Sequence, residues 1–187
     1  DDAVEEDQIK VIGSLRIGIP LYNVFLNEAD EWSRRMTIQL TEWSMELHQP
    51  VPAEAEALAH SLAGSSATVG FLSLSEMARA LEHALQRLHD QQVGTAVQGR
   101  VFREAAEDIR RLLHQFAAGF LKDPNPTLLA ELKSIEVNDE VVVSDDEEAI
   151  SDVEQPQGKP AAVGDEAAVA VEDEVAPAVE DVAAHAG

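Results

Sequence analysis

Residues 22–47 read YNVFLNEADEWSRRMTIQLTEWSMEL, and their pattern indicates which class of fold the chain adopts. The apolar side chains recur at intervals of three or four residues; they are Tyr22, Phe25, Ala29, Trp32, Met36, Leu40, Trp43 and Leu47. This spacing places them on one face of an α-helix and leaves most charged residues on the other faces. Pro20 suits the first turn of such a helix, and Pro50 and Pro52 separate it from the next segment.

Three more amphipathic segments follow this helix. The second helix is expected at about 53–68, with Gly70 in the position that glycine prefers after a helix. The third opens at 73–76 with Ser-Leu-Ser-Glu, a capping-box pattern, and runs to about Asp90. The fourth is expected at about 95–120. The predicted inward stripes are Leu58, Leu62, Ser65 and Val69; Leu74, Met77, Leu81, Leu85 and Leu88; and Phe102, Ala105, Ile109, Leu112, Phe116 and Phe120.

The remaining segments are less distinctive. Residues 9–19 are apolar and fit either a short helix or an extended lead-in, and residues 127–133 fit one short helix. No segment alternates with period two, and no hairpin dipeptide occurs. Four amphipathic helices with short connections predict an all-α fold, an antiparallel four-helix bundle.

Charge divides the chain into three parts. The 187 residues include 36 acidic and 13 basic ones, for a formal net charge of −23. Residues 1–7 hold five carboxylates, whereas 8–133 are nearly balanced, with 15 acids and 12 bases. Residues 134–187 hold 16 acids, one base, no aromatic residue and no leucine. We therefore expect an acidic lead-in at 1–7, the bundle at 8–133 and a disordered acidic linker at 134–187.

Composition also excludes several functions. The chain has no cysteine, which rules out disulfides, thiol catalysis and cysteine-bound metals. No apolar run approaches the roughly 18 residues of a membrane-spanning helix, and the N-terminus does not resemble a signal peptide. The acid excess argues against nucleic acid and anionic membranes as partners. The sequence is expected to be a piece of a longer cytoplasmic protein.

The most informative stretch is residues 60–71, HSLAGSSATVGF. His60 lies far around the predicted helix from Leu58 and Leu62, so it faces away from the buried stripe. Its neighbours one turn away include Ala57, Ala63 and Gly64, and such small residues leave the imidazole accessible to a large partner. A core histidine would lie on the leucine stripe, and an ordinary surface histidine would usually lie among longer charged residues.

This stretch resembles the His-x-Leu-Lys-Gly-Ser-Ser motif of histidine-containing phosphotransfer (HPt) domains, four-helix bundles that carry a phosphoryl group on one histidine. The resemblance covers roughly residues 23–120. It implies that His60 is the phosphorylated residue and that Gly64 is the glycine of the motif. Arg79 also lies at the distance in sequence from the histidine that the family shows. In chemotaxis-kinase (CheA-type) members a glutamate 22 residues after the histidine hydrogen-bonds the ring, and here that residue is Glu82.

One position departs from the motif. The usual lysine three residues after the histidine is Ala63 here. Its absence removes positive charge near the phosphoryl group, and we expect Ala63→Lys to raise phosphorylation of His60 several-fold without altering the fold. The sequence around residues 11–30 and 59–71 is also similar to an HPt module of the CheA-like hybrid kinases that govern twitching motility through type IV pili, which carry several HPt domains in tandem.

The resemblance implies a mechanism and partners. If Glu82 accepts a hydrogen bond from Nδ1–H of His60, Nε2 presents its lone pair outward. The chain contains no nucleotide-binding motif, so ATP and Mg²⁺ are expected on partner domains and no cofactor on this one. The partners would be a histidine kinase catalytic domain and a receiver domain, and the chain would be a phosphocarrier within a histidine kinase. A docking module that is not phosphorylated, suggested by Ala63, and a structural spacer remain alternatives.

Other candidate residues carry weaker indications. His83 is expected to be an ordinary surface residue, and a metal site formed by His60, Glu82 and His83 is disfavoured. The remaining histidines share no spacing; they are His48, His89, His114 and His185. Arg110 and Arg111 are expected to be solvated. The serines of the motif are expected to pack rather than react; they are Ser61, Ser65 and Ser66.

Overall fold

The computed structural model describes residues 8–136. In chain order the elements are β1 (Ile9–Ile12), β2 (Leu15–Gly18), α1 (Ile19–Met45), α2 (Ala53–Thr68), α3 (Leu72–Arg87), α4 (Ala96–Ala117) and α5 (Pro126–Ser134). The expected acidic lead-in, and the linker from residue 137 onward, lie outside the described residues. No helix within the described range is long and apolar enough to cross a membrane.

Helices α1 to α4 form an antiparallel bundle in which each packs against the next and α4 returns to α1. The direction of α1 and α4 follows from two ring contacts. Tyr22, at the start of α1, lies 5.8 Å from Phe116 at the end of α4, measured between ring centroids. Trp43, at the end of α1, lies 5.7 Å from Phe102 near the start of α4. The predicted all-α four-helix bundle is therefore confirmed.

The predicted apolar stripes form the core, with one exposed exception and three residues that are only half-buried, Trp32, Leu47 and Ser65. All the inward residues expected on α3 are buried, as are those on α4 from Phe102 to Phe116. Burial of each large apolar side chain contributes about 1.5–3 kcal/mol, so these stripes supply most of the driving force for bundle assembly. Phe120 is the exception: α4 ends at Ala117, and the Phe120 ring is exposed.

A β-hairpin precedes the bundle, so the extended alternative for residues 9–19 applies and the short helix does not, although the sequence showed no alternation of period two. β1 and β2 pair antiparallel, with Ile9 opposite Gly18 and Ile12 opposite Leu15. Gly13 turns the chain between them with φ of 56°, a value that favours glycine. Ile12 and Ile17 are buried against the bundle. Because the strands have four residues each and only two deeply buried apolar side chains, their alternation is too short to recognise in the sequence.

The ends of the helices follow local chemistry, with one correction. Gly70 follows α2 with φ of 81°, as predicted. Thr95 caps α4 in a reciprocal capping box with Gln98. The capping box expected at 73–76 does not form, because α3 already begins at Leu72. The Ser73 hydroxyl instead donates to Asp123 Oδ1, at 3.2 Å.

Helix α5 is attached to the bundle by both apolar and polar contacts. Leu128 and Leu132 are buried. Arg87 donates from Nη2 to the Leu132 carbonyl and from Nε to the Ile135 carbonyl, at 2.7 and 3.0 Å. Gln98 Nε2 donates to the Glu136 carbonyl at 2.9 Å. The folded region therefore extends past the expected boundary at residue 133.

Candidate functional site

His60 projects from the middle of α2 into solvent. Its side chain is 71 % exposed, whereas Leu58 and Leu62 on the same helix are buried. α2 takes this orientation because its apolar stripe packs against α1 and α3. The predicted exposure of the imidazole is thus observed.

The imidazole is hydrogen-bonded to a buried carboxylate on the neighbouring helix. Nδ1 of His60 lies 2.8 Å from Oε1 of Glu82, whose side chain is only 7 % exposed. A carboxylate only accepts hydrogen bonds, so Nδ1 carries the hydrogen and donates it. The lone pair then lies on Nε2, on the far side of an exposed ring. This is the expected placement of Glu82, and the catalytic roles of both residues stay predictions.

Two further side chains on α3 contact the Glu82 carboxylate. Gln86 Nε2 donates to Oε1 at 3.5 Å. Arg79 Nη1 lies 3.9 Å from Oε2, which is buried and accepts no hydrogen bond from the described residues. The Arg79 side chain is half-exposed, so its guanidinium is close both to the carboxylate and to the solvent around His60.

Ala63 differs from its expected setting. It is fully buried, and the Ser75 hydroxyl on α3 donates to its carbonyl at 2.8 Å. Of the small residues expected to leave the imidazole accessible, Ala63 therefore does not itself lie on the surface. Its side chain lies on the α2 face that packs against α3.

Gly64 is exposed, and a side chain built on it would meet no atom within 4 Å. Packing within this chain therefore does not require glycine here. The absence of a side chain leaves a depression in the surface beside His60, into which a docking partner would fit.

The weaker candidates lie elsewhere or are occupied by structural contacts. His83 follows Glu82 and is exposed, on another face of α3. Arg110 pairs with Asp30 on α1. Arg111 pairs with Asp108 on its own helix and donates from Nη2 to the Asp123 carbonyl, so both arginines make structural contacts. Within 8–136, no group of three or more His, Asp or Glu residues could hold a metal ion.

Two of the three serines of the motif have local partners. Ser61 and Ser66 donate their hydroxyl hydrogens to carbonyls one turn earlier on α2, at 3.0 and 2.6 Å. Neither hydroxyl therefore has a base that could make it a nucleophile.

Two contacts of the site were not predicted from sequence. Gln86 lies four residues after Glu82, a spacing that places two side chains on the same helix face and could have indicated the contact. Ser75 gives no such indication, because its contact with Ala63 depends on how α2 and α3 pack.

Comparison with known proteins identifies the family. No curated protein matches the chain in sequence. The family model described as "Hpt domain" matches residues 20–119, which is more than half of the 187 residues. The match contains α1 from its second residue onward, all of α2 to α4, His60 and Glu82, and it excludes the hairpin and α5. The chain therefore belongs to the Hpt domain family, the histidine phosphotransfer modules of two-component phosphorelay signalling.

Proposed function

We propose that His60 is the residue that carries the phosphoryl group in this phosphotransfer module. One observation carries the proposal: an exposed imidazole whose Nδ1 is hydrogen-bonded to a buried carboxylate at 2.8 Å. Binding one ring nitrogen to Glu82 fixes the tautomer, so that the other nitrogen is the nucleophile.

The transfer step follows from this geometry. Nε2 attacks phosphorus, an N–P bond forms, and the P–O bond to the donor breaks, so the electron pair leaves with the donor oxygen. The ring becomes positively charged, and the Glu82 carboxylate compensates that charge through Nδ1–H. In transfer to a receiver, an aspartate oxygen attacks phosphorus and the N–P bond breaks, which returns the lone pair to Nε2.

We propose that Arg79 supplies positive charge near the phosphoryl group, in place of the lysine that the motif usually has at the position of Ala63. Its guanidinium lies 3.9 Å from Glu82 Oε2 and is half-exposed, so a rotation of the side chain would bring it towards a phosphoryl group on His60. Arginine pairs well with phosphoryl oxygens because its donors are arranged as a fork.

The proposed partners follow from what the chain lacks. Its sequence has no nucleotide-binding motif, so ATP and Mg²⁺ are assigned to partner domains. Those partners are a histidine kinase catalytic domain and a receiver domain, in the cytoplasm where ATP-dependent kinases act. The resemblance at residues 11–30 and 59–71 supports the narrower proposal of a CheA-like hybrid kinase of twitching motility, with further HPt domains in tandem.

The test is phosphorylation of the isolated protein by phosphoramidate, a small donor that needs no partner, followed by transfer to receiver domains of the source organism. The wild type should gain one acid-labile, alkali-stable phosphoryl group. His60→Gln should gain none. His83→Gln is the matched control, since His83 is also exposed and lies next to Glu82, and it should be labelled like the wild type.

Each alternative has its own outcome. Label that persists in His60→Gln would reject His60 as the carrier. Binding of a receiver domain without any label on the wild type would instead favour the docking module. If the wild type is not labelled and binds no receiver domain, the structural spacer is the remaining alternative.

A further inference from the structure

A groove of about 230 Å³ lies between α3 and α5. It is lined by Glu76, Arg79, Ala80, His83, Arg87 and Lys133. We call it the basic groove, because Arg79, Arg87 and Lys133 are cations and Glu76 is its one anion. His83 lies between Arg79 and Arg87 along α3. Residues 8–133 have the opposite balance, 15 acids against 12 bases, so the cations are locally concentrated.

The basic groove is continuous with the His60 site. Arg79 lines the groove and also lies 3.9 Å from the carboxylate that binds His60. Arg79 and Arg87 are eight residues apart on α3, which corresponds to about 12 Å along the helix. A typical interface buries about 800 Å² per partner and is roughly 30 Å across, so one partner seated on His60 can also cover the groove.

The groove is formed before any partner binds. Arg87 holds the end of α5 through the Leu132 and Ile135 carbonyls, and Lys133 pairs with Glu76 at 3.1 Å across the groove. α5 lies outside residues 20–119, which match the family model. The groove is therefore a feature of this chain that the family match does not assign.

We infer that the basic groove is an accessory docking site for the acidic face of the receiver domain that exchanges the phosphoryl group with His60. This inference rests on the proposed function. A receiver accepts the group on an aspartate and holds Mg²⁺ with carboxylates, so the face it presents to His60 is rich in negative charge. A cationic groove beside His60 complements that face and steers its approach.

Charge reversal at Lys133 tests the inference. Lys133 is more than half exposed, and the ion pair it would lose is worth little to stability at such an exposed position. We would label the protein with phosphoramidate and measure transfer to the receiver domain that accepts label fastest. Lys133→Glu should slow transfer about tenfold at low ionic strength, and the loss should shrink to less than about twofold near 0.5 M salt.

Two variants serve as comparisons. Lys122→Glu makes the same charge change at an exposed lysine outside the groove, and it should transfer within about twofold of the wild type. Glu76→Lys adds a cation to the groove and should speed transfer. Labelling by phosphoramidate should be equal in all these proteins, since His60 and Glu82 are intact.

Several outcomes would overturn the inference. They are transfer that is unchanged in Lys133→Glu, an equal loss in Lys122→Glu, a loss that salt does not diminish, or slower labelling by phosphoramidate itself. If the wild type is labelled normally, any of these outcomes rejects the docking role of the groove but leaves the proposed function of His60 standing. A wild type that phosphoramidate cannot label rejects the proposed function, and the inference with it.

Discussion

Among single residues, Glu82 has the most demanding position, since it is a buried carboxylate whose main hydrogen bond is to an exposed ring. Its Oε2 accepts no hydrogen bond from the described residues, and the half-exposed Arg79 guanidinium lies 3.9 Å from it. Burial of a carboxylate is unfavourable unless it is paired. The proposed phosphorylation of His60 places a positive charge on the imidazole, and that charge would improve the pairing of Glu82.

Substitution of Glu82 separates its two contributions. Glu82→Gln keeps an acceptor for Nδ1–H but removes the negative charge, and charge-assisted hydrogen bonds exceed neutral ones by about 1 kcal/mol. We expect labelling by phosphoramidate to slow about fivefold in Glu82→Gln and further in Glu82→Ala. Glu76→Gln, a carboxylate on the same helix, is the control and should label normally. Equal rates in Glu82→Ala and the wild type would contradict the orienting role.

Ala63→Lys now has two expected effects. Because Ala63 is fully buried between α2 and α3, the longer side chain should lower the free energy of unfolding by about 1–3 kcal/mol. An ammonium that reaches the surface beside His60 adds about 1 kcal/mol to phosphoryl binding, roughly a fivefold rise in phosphohistidine at equilibrium. Urea denaturation measures the first effect and equilibrium labelling the second. Unchanged labelling would mean that Arg79 or the partner already supplies the charge.

Among the elements, the helices were predictable and the hairpin was not. The stripe from Tyr22 to Trp43 repeats over several turns, so its period is clear in sequence. β1 and β2 are four residues each, and their pairing is defined by Gly13 and by packing against the bundle. The capping box predicted at 73–76 does not form for a related reason. Phe71 and Ser75 are buried, and this packing starts α3 two residues earlier than a Ser73 cap would.

The hairpin turn gives a test with a matched control. Gly13 has φ of 56°, and a Cβ placed there would lie 3.1 Å from Cβ of Leu121. Gly13→Ala should therefore lower the free energy of unfolding by about 1–2 kcal/mol. Gly18→Ala is the control, because Gly18 has φ of −56° and open space around it. Alanine adds no strain there, and its lower entropy in the unfolded chain opposes the loss of glycine at the helix cap, so the substitution should lower stability less than Gly13→Ala does. Equal effects in urea denaturation would mean that the turn is not strained.

Across the bundle as a whole, the site depends on packing that no single segment encodes. The spacing between His60 and Glu82 predicts their pairing only once the family is recognised. Which α2 residues become buried depends on how α2 crosses α3. For that reason the sequence predicted the exposure of His60 but not the burial of Ala63. The same crossing brings Ser75 to the Ala63 carbonyl.

One end of the bundle is closed by an aromatic cluster that contains the chain's only tyrosine. The rings of Tyr22, Phe25 and Phe71 each contact Phe116, with centroids 4.5 to 5.8 Å apart. Burial raises the pKa of the Tyr22 phenol above its usual range. The phenol is therefore a reporter of whether α1, α4 and the α2–α3 turn are assembled.

We expect the tyrosinate absorbance to titrate above the ordinary value of about 10 while circular dichroism still shows a folded bundle. Below that value the phenol is protonated in both states and does not affect the pH dependence of stability. Between it and the higher pKa of the folded state, only the unfolded chain loses the proton, so the free energy of unfolding should fall as pH rises. Tyr22→Phe should abolish the absorbance change and flatten this part of the profile. A midpoint at or below 10 in the folded protein would show that the ring is not buried against Phe116.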